Sequence, residues 1–456
     1  MRNNAVGPAT LHNNCVVGLI KCVSGGFEQM AQKLSTSELQ KFSNELKECI
    51  ECGNCTFWCP IYQQRPKEQY VARGKNKAIR TLLTSQGYYT AEMKDMLGMC
   101  TLCSTCAQHC PVKSKFQSIM IAARADQTKA RGLGVLLGLI YRQLIPRRKL
   151  FGAVVRCASY FQKIFMSKSE GRMRHLPLFL SGLLQGRQIP AIADHYLRDL
   201  VPETNPVSPG TQTRYKVAYF MGCATDFVFP EIGKKLIAYL TRNGVAVTVP
   251  KEQGCCGAPI WLGAGDFETG RTIADTNVKI FEEADYIITN CATCSSAMKE
   301  YAKYLADNDE RLHKYNNFAK KIYDISEFIV DVLKLPDKAV RAEPQYAGKV
   351  VTWHDPCHLK RYLNIHVQPR ALLTKMDEVQ YREMREAERC CGMAGSFSVY
   401  HYDVSKEIAD KKARSVDEVH ADVVATGCPG CMIQIADALN RNNIKADVKH
   451  IIELMD

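Results

Sequence analysis

No apolar run in this sequence is long enough to cross a bilayer. The longest uncharged stretches, such as 423–436, hold about 14 residues, whereas a spanning helix needs about 20. A secretory pattern is also missing, because Lys21 interrupts the short apolar run Val16–Ile20 and no longer one follows. There is no G-x-x-x-x-G-K-[ST] or G-x-G-x-x-G loop, no flavin or nicotinamide fingerprint and no Ser/Cys–His hydrolytic arrangement. Phosphate-cradling and hydrolytic functions therefore have no motif to rest on. At 46% apolar and 23% charged, the 456 residues are ordinary for about three globular domains, and large-scale disorder is excluded. Cysteine alone is in excess, with 21 residues. A chain this long builds its cores without disulfide staples, so clustered thiols point to metal chemistry in a reducing compartment.

Eighteen of the 21 cysteines fall into four groups. Cys49, Cys52, Cys55 and Cys59 precede Pro60, and Cys100, Cys103, Cys106 and Cys110 precede Pro111. Both read C-x2-C-x2-C-x3-C-P, the spacing of bacterial two-cluster ferredoxins, in which the fourth cysteine serves the other cluster. The pattern predicts one cubane [4Fe–4S] cluster on Cys49, Cys52, Cys55 and Cys110, and a second on Cys100, Cys103, Cys106 and Cys59. Zinc also uses C-x2-C pairs, but two complete copies closed by proline favour clusters. About forty residues separate the copies, including the basic run Arg73-Gly74-Lys75-Asn76-Lys77. That spacing predicts a helical module, with the basic run either holding anionic clusters or forming a solvated helix face.

The other two groups repeat each other. Cys223, Cys255, Cys256, Cys291 and Cys294 are echoed by Cys357, Cys390, Cys391, Cys428 and Cys431 at offsets of 134 to 137 residues. The intervals match, 31 then 34 residues in the first copy and 32 then 36 in the second, which marks an internal duplication. Five thiolates are one more than a cubane takes, and adjacent cysteines do not easily grip one metal ion; zinc or vicinal disulfides are the competing reading. In each copy an apolar run ends at or near the first cysteine, Val217–Phe220 in one and Val350–Trp353 in the other. Helical patterns follow at 232–241 and 369–376, and strands are expected at 245–249, 286–289 and 423–425. Strand ends feeding cysteine-bearing turns predict two α/β domains with ligands at the carboxyl ends of the strands.

Gly254-Cys255-Cys256-Gly257, Cys390-Cys391-Gly392, His354-Asp355-Pro356-Cys357-His358 and Cys428-Pro429-Gly430-Cys431 resemble the cysteine-rich "CCG" domains of heterodisulfide reductases. A two-cluster ferredoxin module followed by two CCG domains resembles the iron–sulfur subunits of glycolate and lactate oxidases, and the small subunit of anaerobic glycerol-3-phosphate dehydrogenase. The resemblance covers roughly residues 35–456. It implies one or two non-cubane [4Fe–4S] clusters on the five-cysteine motifs, both of which are complete here. His354 and His358 flank Cys357, and His109 precedes Cys110. Imidazoles there suit hydrogen bonding to cluster sulfur or proton relay, with ordinary packing as the alternative.

Between the modules the composition shifts. Residues 124–187 hold 13 Lys and Arg against Asp126 and Glu170, a net +11 that accounts for most of the chain's +13. Charge alternates with the apolar runs Leu133–Tyr141, Leu150–Val155 and Leu176–Leu184. Such a basic amphipathic stretch reads as a docking element for a membrane surface or a membrane partner, or as a linker packed on the clusters; no recognition motif accompanies it to suggest nucleic acid. Arg174-His175-Leu176-Pro177 and Ile189-Pro190-Ala191-Ile192-Ala193 resemble linkers of the glycolate-oxidase type. Cys15, Cys22 and Cys157 belong to no group.

The expected architecture is an α+β multidomain chain. It comprises an N-terminal segment (1–34), a helical two-cluster ferredoxin module (35–123), a basic helical connector (124–208) and two duplicated α/β CCG domains (209–343 and 344–456). The resemblance implies the iron–sulfur electron-transfer subunit of a flavoprotein 2-hydroxy-acid dehydrogenase acting on lactate or glycolate. Its partners would be the flavoprotein subunit and a membrane quinone or membrane cytochrome subunit, with no nucleic acid. Its place would be the cytoplasm, peripherally on the inner face of the cell membrane. The alternative is a catalytic subunit of the heterodisulfide-reductase type, cleaving a disulfide at a non-cubane cluster.

Overall fold

The computed structural model describes residues 37–84, 89–165, 173–174 and 189–456. Cys15, Cys22, the run Leu176–Leu184 and most of Arg174–Pro177 lie outside them. Up to position 131 the described residues form helices and no strand. Between the two ferredoxin-type loops stand helices Ala72–Thr84 and Ala91–Gly98, the latter capped by Thr90, whose side chain accepts the Met93 N–H at 3.2 Å. Helix Phe116–Arg131 is the spine of this part. Ile119, Met120, Ile121, Ala122 and Ala123 are buried, each large aliphatic side chain contributing about 1.5–3 kcal/mol. It ends at Gly132 at φ 68 and runs unbroken through position 124, where the basic composition begins. Asp126, on its buried face, accepts the N–H groups of Glu38 (3.1 Å) and Leu39 (3.0 Å) and so fixes the short helix Ser37–Gln40.

The connector is helical over 135–144 and Arg148–Phe165. Tyr141 inserts beside Ile260 and Ile273, and Arg142 pairs with Asp266 at 2.7 Å. Gln162 exchanges hydrogen bonds with the Ile192 backbone. The outer side keeps Val135, Leu136, Leu139, Tyr160 and Phe161 exposed. Strands β1 (Met173–Arg174) and β2 (Ile189–Pro190) pair antiparallel.

The remainder is two parallel sheets of the same design. In the first, β3 (Thr204–Asn205), β4 (Tyr215–Phe220), β5 (Val245–Thr248), β6 (Ile287–Thr289) and β7 (Ile322–Asp324) lie in the order β3-β5-β4-β6-β7. Only β3 is antiparallel. In the second, β8 (Val350–His354), β9 (Gln380–Tyr381), β10 (Val423–Thr426) and β11 (Asp447–His450) lie in the order β11-β10-β8-β9, all parallel. β4, β5, β6 and β7 thus correspond to β8, β9, β10 and β11. Successive residues such as Tyr219 and Phe220 are both buried, as expected for parallel strands covered on both faces. β7 and β11 each run into a helix through a capping box, Asp324 with Glu327 and His450 with Glu453. The backs of the sheets share one apolar cluster that includes Val217, Leu236, Val351 and Trp353.

Candidate metal centres

The first loop, Cys49–Cys59, turns at Glu51 (φ 54) and Gly53 (φ 83); a Cβ at Gly53 would lie 2.7 Å from an Arg73 guanidinium nitrogen. The second loop uses Leu102 (φ 52) and Ser104 (φ 60) in the same way. Backbone N–H groups aim at sulfur in both: Tyr62 donates to Cys59 Sγ and Leu102 to Cys100 Sγ, each at 3.5 Å. Cys59 crosses over. It lines one cavity together with Cys100, Cys103 and Cys106, the four residues expected to share the second cubane. Burial pushes the Cys59 thiol up to about 12, and burial with the neighbouring thiols raises Cys106. These thiols ionise together only beside a strongly cationic group, which is what an iron–sulfur core supplies.

Lys75 faces the same cavity, is 1% exposed and donates to the carbonyls of Tyr70 (2.6 Å) and Met99 (2.9 Å). Of the basic run, Lys75 is therefore turned inward rather than solvated. Arg124 likewise binds the carbonyls of Cys100 (2.7 Å) and Gly263 (3.2 Å), so this connector cation supports the second loop. On the other side, Asn54 donates to the His109 carbonyl at 2.5 Å, and Trp58 stacks on His109 with ring centroids 3.7 Å apart. Cys55 and Cys110 are thereby drawn to the same end of the two loops. In the first loop Cys52 and Phe57 are both exposed.

The two five-cysteine motifs are built alike. Cys223 follows β4 and Cys357 follows β8, while Cys291 and Cys428 N-cap the helices Ala292–Lys299 and Pro429–Arg441, which carry Cys294 and Cys431. A helix N-terminus favours a thiolate there. The glycine after each adjacent pair donates its N–H to the first sulfur, Gly257 to Cys255 at 3.3 Å and Gly392 to Cys390 at 3.4 Å. Both glycines are left-handed, at φ 76 and φ 89, and a Cβ at Gly392 would lie 2.7 Å from the Ser405 carbonyl oxygen. Thiols neighbour one another in the order Cys223, Cys255, Cys256, Cys294, Cys291. The second copy repeats it as Cys357, Cys390, Cys391, Cys431, Cys428, with Cys391 and Cys431 Sγ atoms 3.4 Å apart.

Two further contacts join the groups. Cys103 of the ferredoxin cavity adjoins Cys390, and Cys428 adjoins Cys291. Around the second junction Ala292 N–H donates to the Gly427 carbonyl (3.0 Å), Thr293 Oγ1 lies 3.8 Å from Cys428 Sγ, and Ser296 Oγ is 2.6 Å from His358 Nδ1. The thiol groups therefore stand in series: ferredoxin cavity, second CCG repeat, first CCG repeat. Burial lowers His358 to about 4 and His354, beside Lys412, to about 3, so both imidazoles are neutral near pH 7. His354 lies within 4.8 Å of the Cys391 and Cys431 sulfurs. Sequence reasoning did not single out Thr293, Ser296, Thr101, whose hydroxyl lies 3.9 Å from Cys390 Sγ, or Tyr362, which donates to the Leu102 carbonyl; each is an ordinary polar residue whose role appears only when distant turns meet.

Comparisons with known proteins cover the same stretches of chain. The 4Fe-4S dicluster domain family (Fer4_8) matches residues 45–114, and the cysteine-rich domain family (CCG) matches twice, over 217–299 and 351–436. "Lactate utilization protein A" of Bacillus pumilus (strain SAFR-032) is 32% identical over 241 residues, 53% of this chain and 99% of that protein. This chain belongs to the CCG-domain iron–sulfur oxidoreductase family. Within that family, the "Probable glycolate oxidase iron-sulfur subunit" of Bacillus subtilis (strain 168) is 27% identical over 442 residues, 92% of this chain and 97% of its own. A fumarate reductase (CoM/CoB) subunit of Methanothermobacter marburgensis is 26% identical over 430 residues, 93% of this chain and 74% of its own. The dicluster and CCG matches identify the CCG-family chain as a [4Fe–4S] protein. Among the described residues, no helix is long and apolar enough to cross a membrane.

Proposed function

We propose that this chain is the electron-transfer subunit of a flavoprotein 2-hydroxy-acid dehydrogenase complex oxidising lactate or glycolate, and that it delivers electrons toward a membrane quinone or cytochrome subunit. Bound iron–sulfur clusters supply one-electron chemistry. In this reading Cys49, Cys52, Cys55 and Cys110 hold one cubane, and Cys100, Cys103, Cys106 and Cys59 hold the other. Cys223, Cys255, Cys256, Cys291 and Cys294 hold one non-cubane cluster, and Cys357, Cys390, Cys391, Cys428 and Cys431 hold another. The observation that carries the reading is the serial contact of the thiol groups, Cys103 to Cys390 and Cys428 to Cys291. Full-length similarity to a glycolate oxidase iron-sulfur subunit favours the hydroxy acid as electron source. The connector's exposed Val135, Leu136 and Leu139, with exposed Arg147 and Lys149, favour peripheral docking at the cytoplasmic membrane face.

Anaerobic co-purification from the native host tests this. A flavoprotein partner and lactate- or glycolate-dependent dye reduction support it; a preparation active only in reducing a disulfide overturns it. That second outcome belongs to the reading as a disulfide-cleaving subunit, which the juxtaposition of two complete five-thiol motifs at Cys291 and Cys428 favours.

A further inference from the structure

The duplicated CCG motifs differ at one matched position. Phe220 is the last residue of β4, three before Cys223; His354 is the last residue of β8, three before Cys357. Phe220 is fully buried against Phe281, with ring centroids 5.8 Å apart, and needs no polar partner. His354 does need one. It is 1% exposed, and neither ring nitrogen has a hydrogen-bond partner in the protein. Leaving a buried donor unmatched forfeits its hydration with nothing in return, so native proteins rarely do so.

The polar groups around it are already engaged. The His354 ring approaches the Ala387 carbonyl without a well-formed hydrogen bond, and that oxygen already accepts from Asp355 N–H (3.0 Å) and from Lys412 Nζ (3.1 Å), which fills both lone pairs. Lys412 is itself only a donor. The Asp355 carboxylate turns away to Trp353 Nε1 (2.7 Å) and Arg370 (2.8 Å). What remains is sulfur: a ring nitrogen of His354 and the thiols of Cys391 and Cys431 all lie within 4.8 Å of one another.

We infer that His354 donates its ring N–H to sulfur of the iron–sulfur centre held by the second CCG motif, and that the first motif, with Phe220 in that place, has no such donor. This rests on the reading that the second motif holds a cluster. A hydrogen bond to cluster sulfur stabilises the extra negative charge of the reduced state, so it raises the reduction potential. The two duplicated centres are therefore unequal, and the second, which adjoins Cys103, takes an electron more readily than its own scaffold would set.

The test uses the full chain, prepared anaerobically with 15N-histidine. Pulsed EPR of the reduced second centre should show a histidine nitrogen coupling. His354→Phe should abolish it and lower the potential of that centre alone, His354→Gln should restore part of the shift, and His358→Phe should leave the coupling in place. A coupling that survives His354→Phe, or a potential unmoved by it, overturns the inference. Should His354→Phe fail to fold, the labelled parent and His358→Phe still decide: absence of histidine coupling in either contradicts it. Iron content unchanged by Cys391→Ala would refute a cluster at this motif, and the inference with it.

Discussion

The Cys390 thiol lies 3.9 Å from the Thr101 hydroxyl, although 289 residues separate the two in sequence. Thr101 belongs to the second ferredoxin-type loop and Cys390 to the adjacent-cysteine turn of the second CCG repeat. Next to them the Tyr362 hydroxyl donates to the Leu102 carbonyl at 2.6 Å, and Arg361 reaches Gln108 at 2.6 Å. The adjacent-cysteine turn of the repeat that comes last in the sequence thus meets the second ferredoxin-type loop, and Cys428 of the same repeat adjoins Cys291 of the first.

The Tyr362–Leu102 bond in this junction is a neutral hydrogen bond, worth about 0.5–1.5 kcal/mol. Tyr362→Phe should therefore lower stability by about 1 kcal/mol in denaturant unfolding while iron content stays complete. Loss of four irons in this variant would mean that Tyr362 does more than join the two parts.

Iron analysis of the anaerobically prepared chain should give about 16 atoms, four for each cysteine group. Cys52→Ala should remove about four of them and destabilise the first loop, because cluster binding is also folding energy. Iron near eight with zinc making up the difference would refute the assignment of clusters to the CCG motifs.

The four cysteine groups, the duplication and the parallel α/β character were legible because thiol spacing and strand-to-turn patterns are local. The helices at Pro230–Arg242 and Val367–Lys375 and the strands leading to Cys291 and Cys428 stand close to where apolar periodicity puts them. The order of the groups in space was not legible. It depends on Thr101 meeting Cys390 and Thr293 meeting Cys428, contacts between turns with no sequence signal. The basic connector was legible as composition only: Arg124 turns inward to backbone carbonyls and Arg142, itself exposed, pairs with buried Asp266, whereas Arg147 and Lys149 are exposed. Two short helices, Ser37–Gln40 and Ser43–Lys47, open the described residues, and Asp126, far away in sequence, holds the first.

Asp126→Ala should cost about 1–3 kcal/mol, since the buried Leu39 N–H and the half-buried Glu38 N–H lose their acceptor. Hydrogen exchange should then rise at Glu38 and Leu39 before the rest of helix Phe116–Arg131. Uniform destabilisation with no local exchange would contradict the capping role.

Reversing Arg147 and Lys149 to Glu should leave iron content and unfolding unchanged while weakening binding to anionic vesicles. The loss should be larger at low salt, because exposed charges act over about 8–10 Å at physiological ionic strength. Binding equal to the parent at every salt concentration would remove the connector from the docking surface.

Spin coupling between reduced clusters measures most directly the series that runs from the ferredoxin cavity through the second CCG repeat to the first. In the fully reduced chain, Cys391→Ala, which strips the second CCG centre, should break the coupling of that centre to both the ferredoxin cubane at Cys103 and the first CCG centre at Cys291, leaving only cubane–cubane coupling. Cys256→Ala, which strips the first centre, should uncouple only the second. If Cys256→Ala uncouples the cubane while Cys391→Ala leaves it coupled, the order is reversed and the account is wrong.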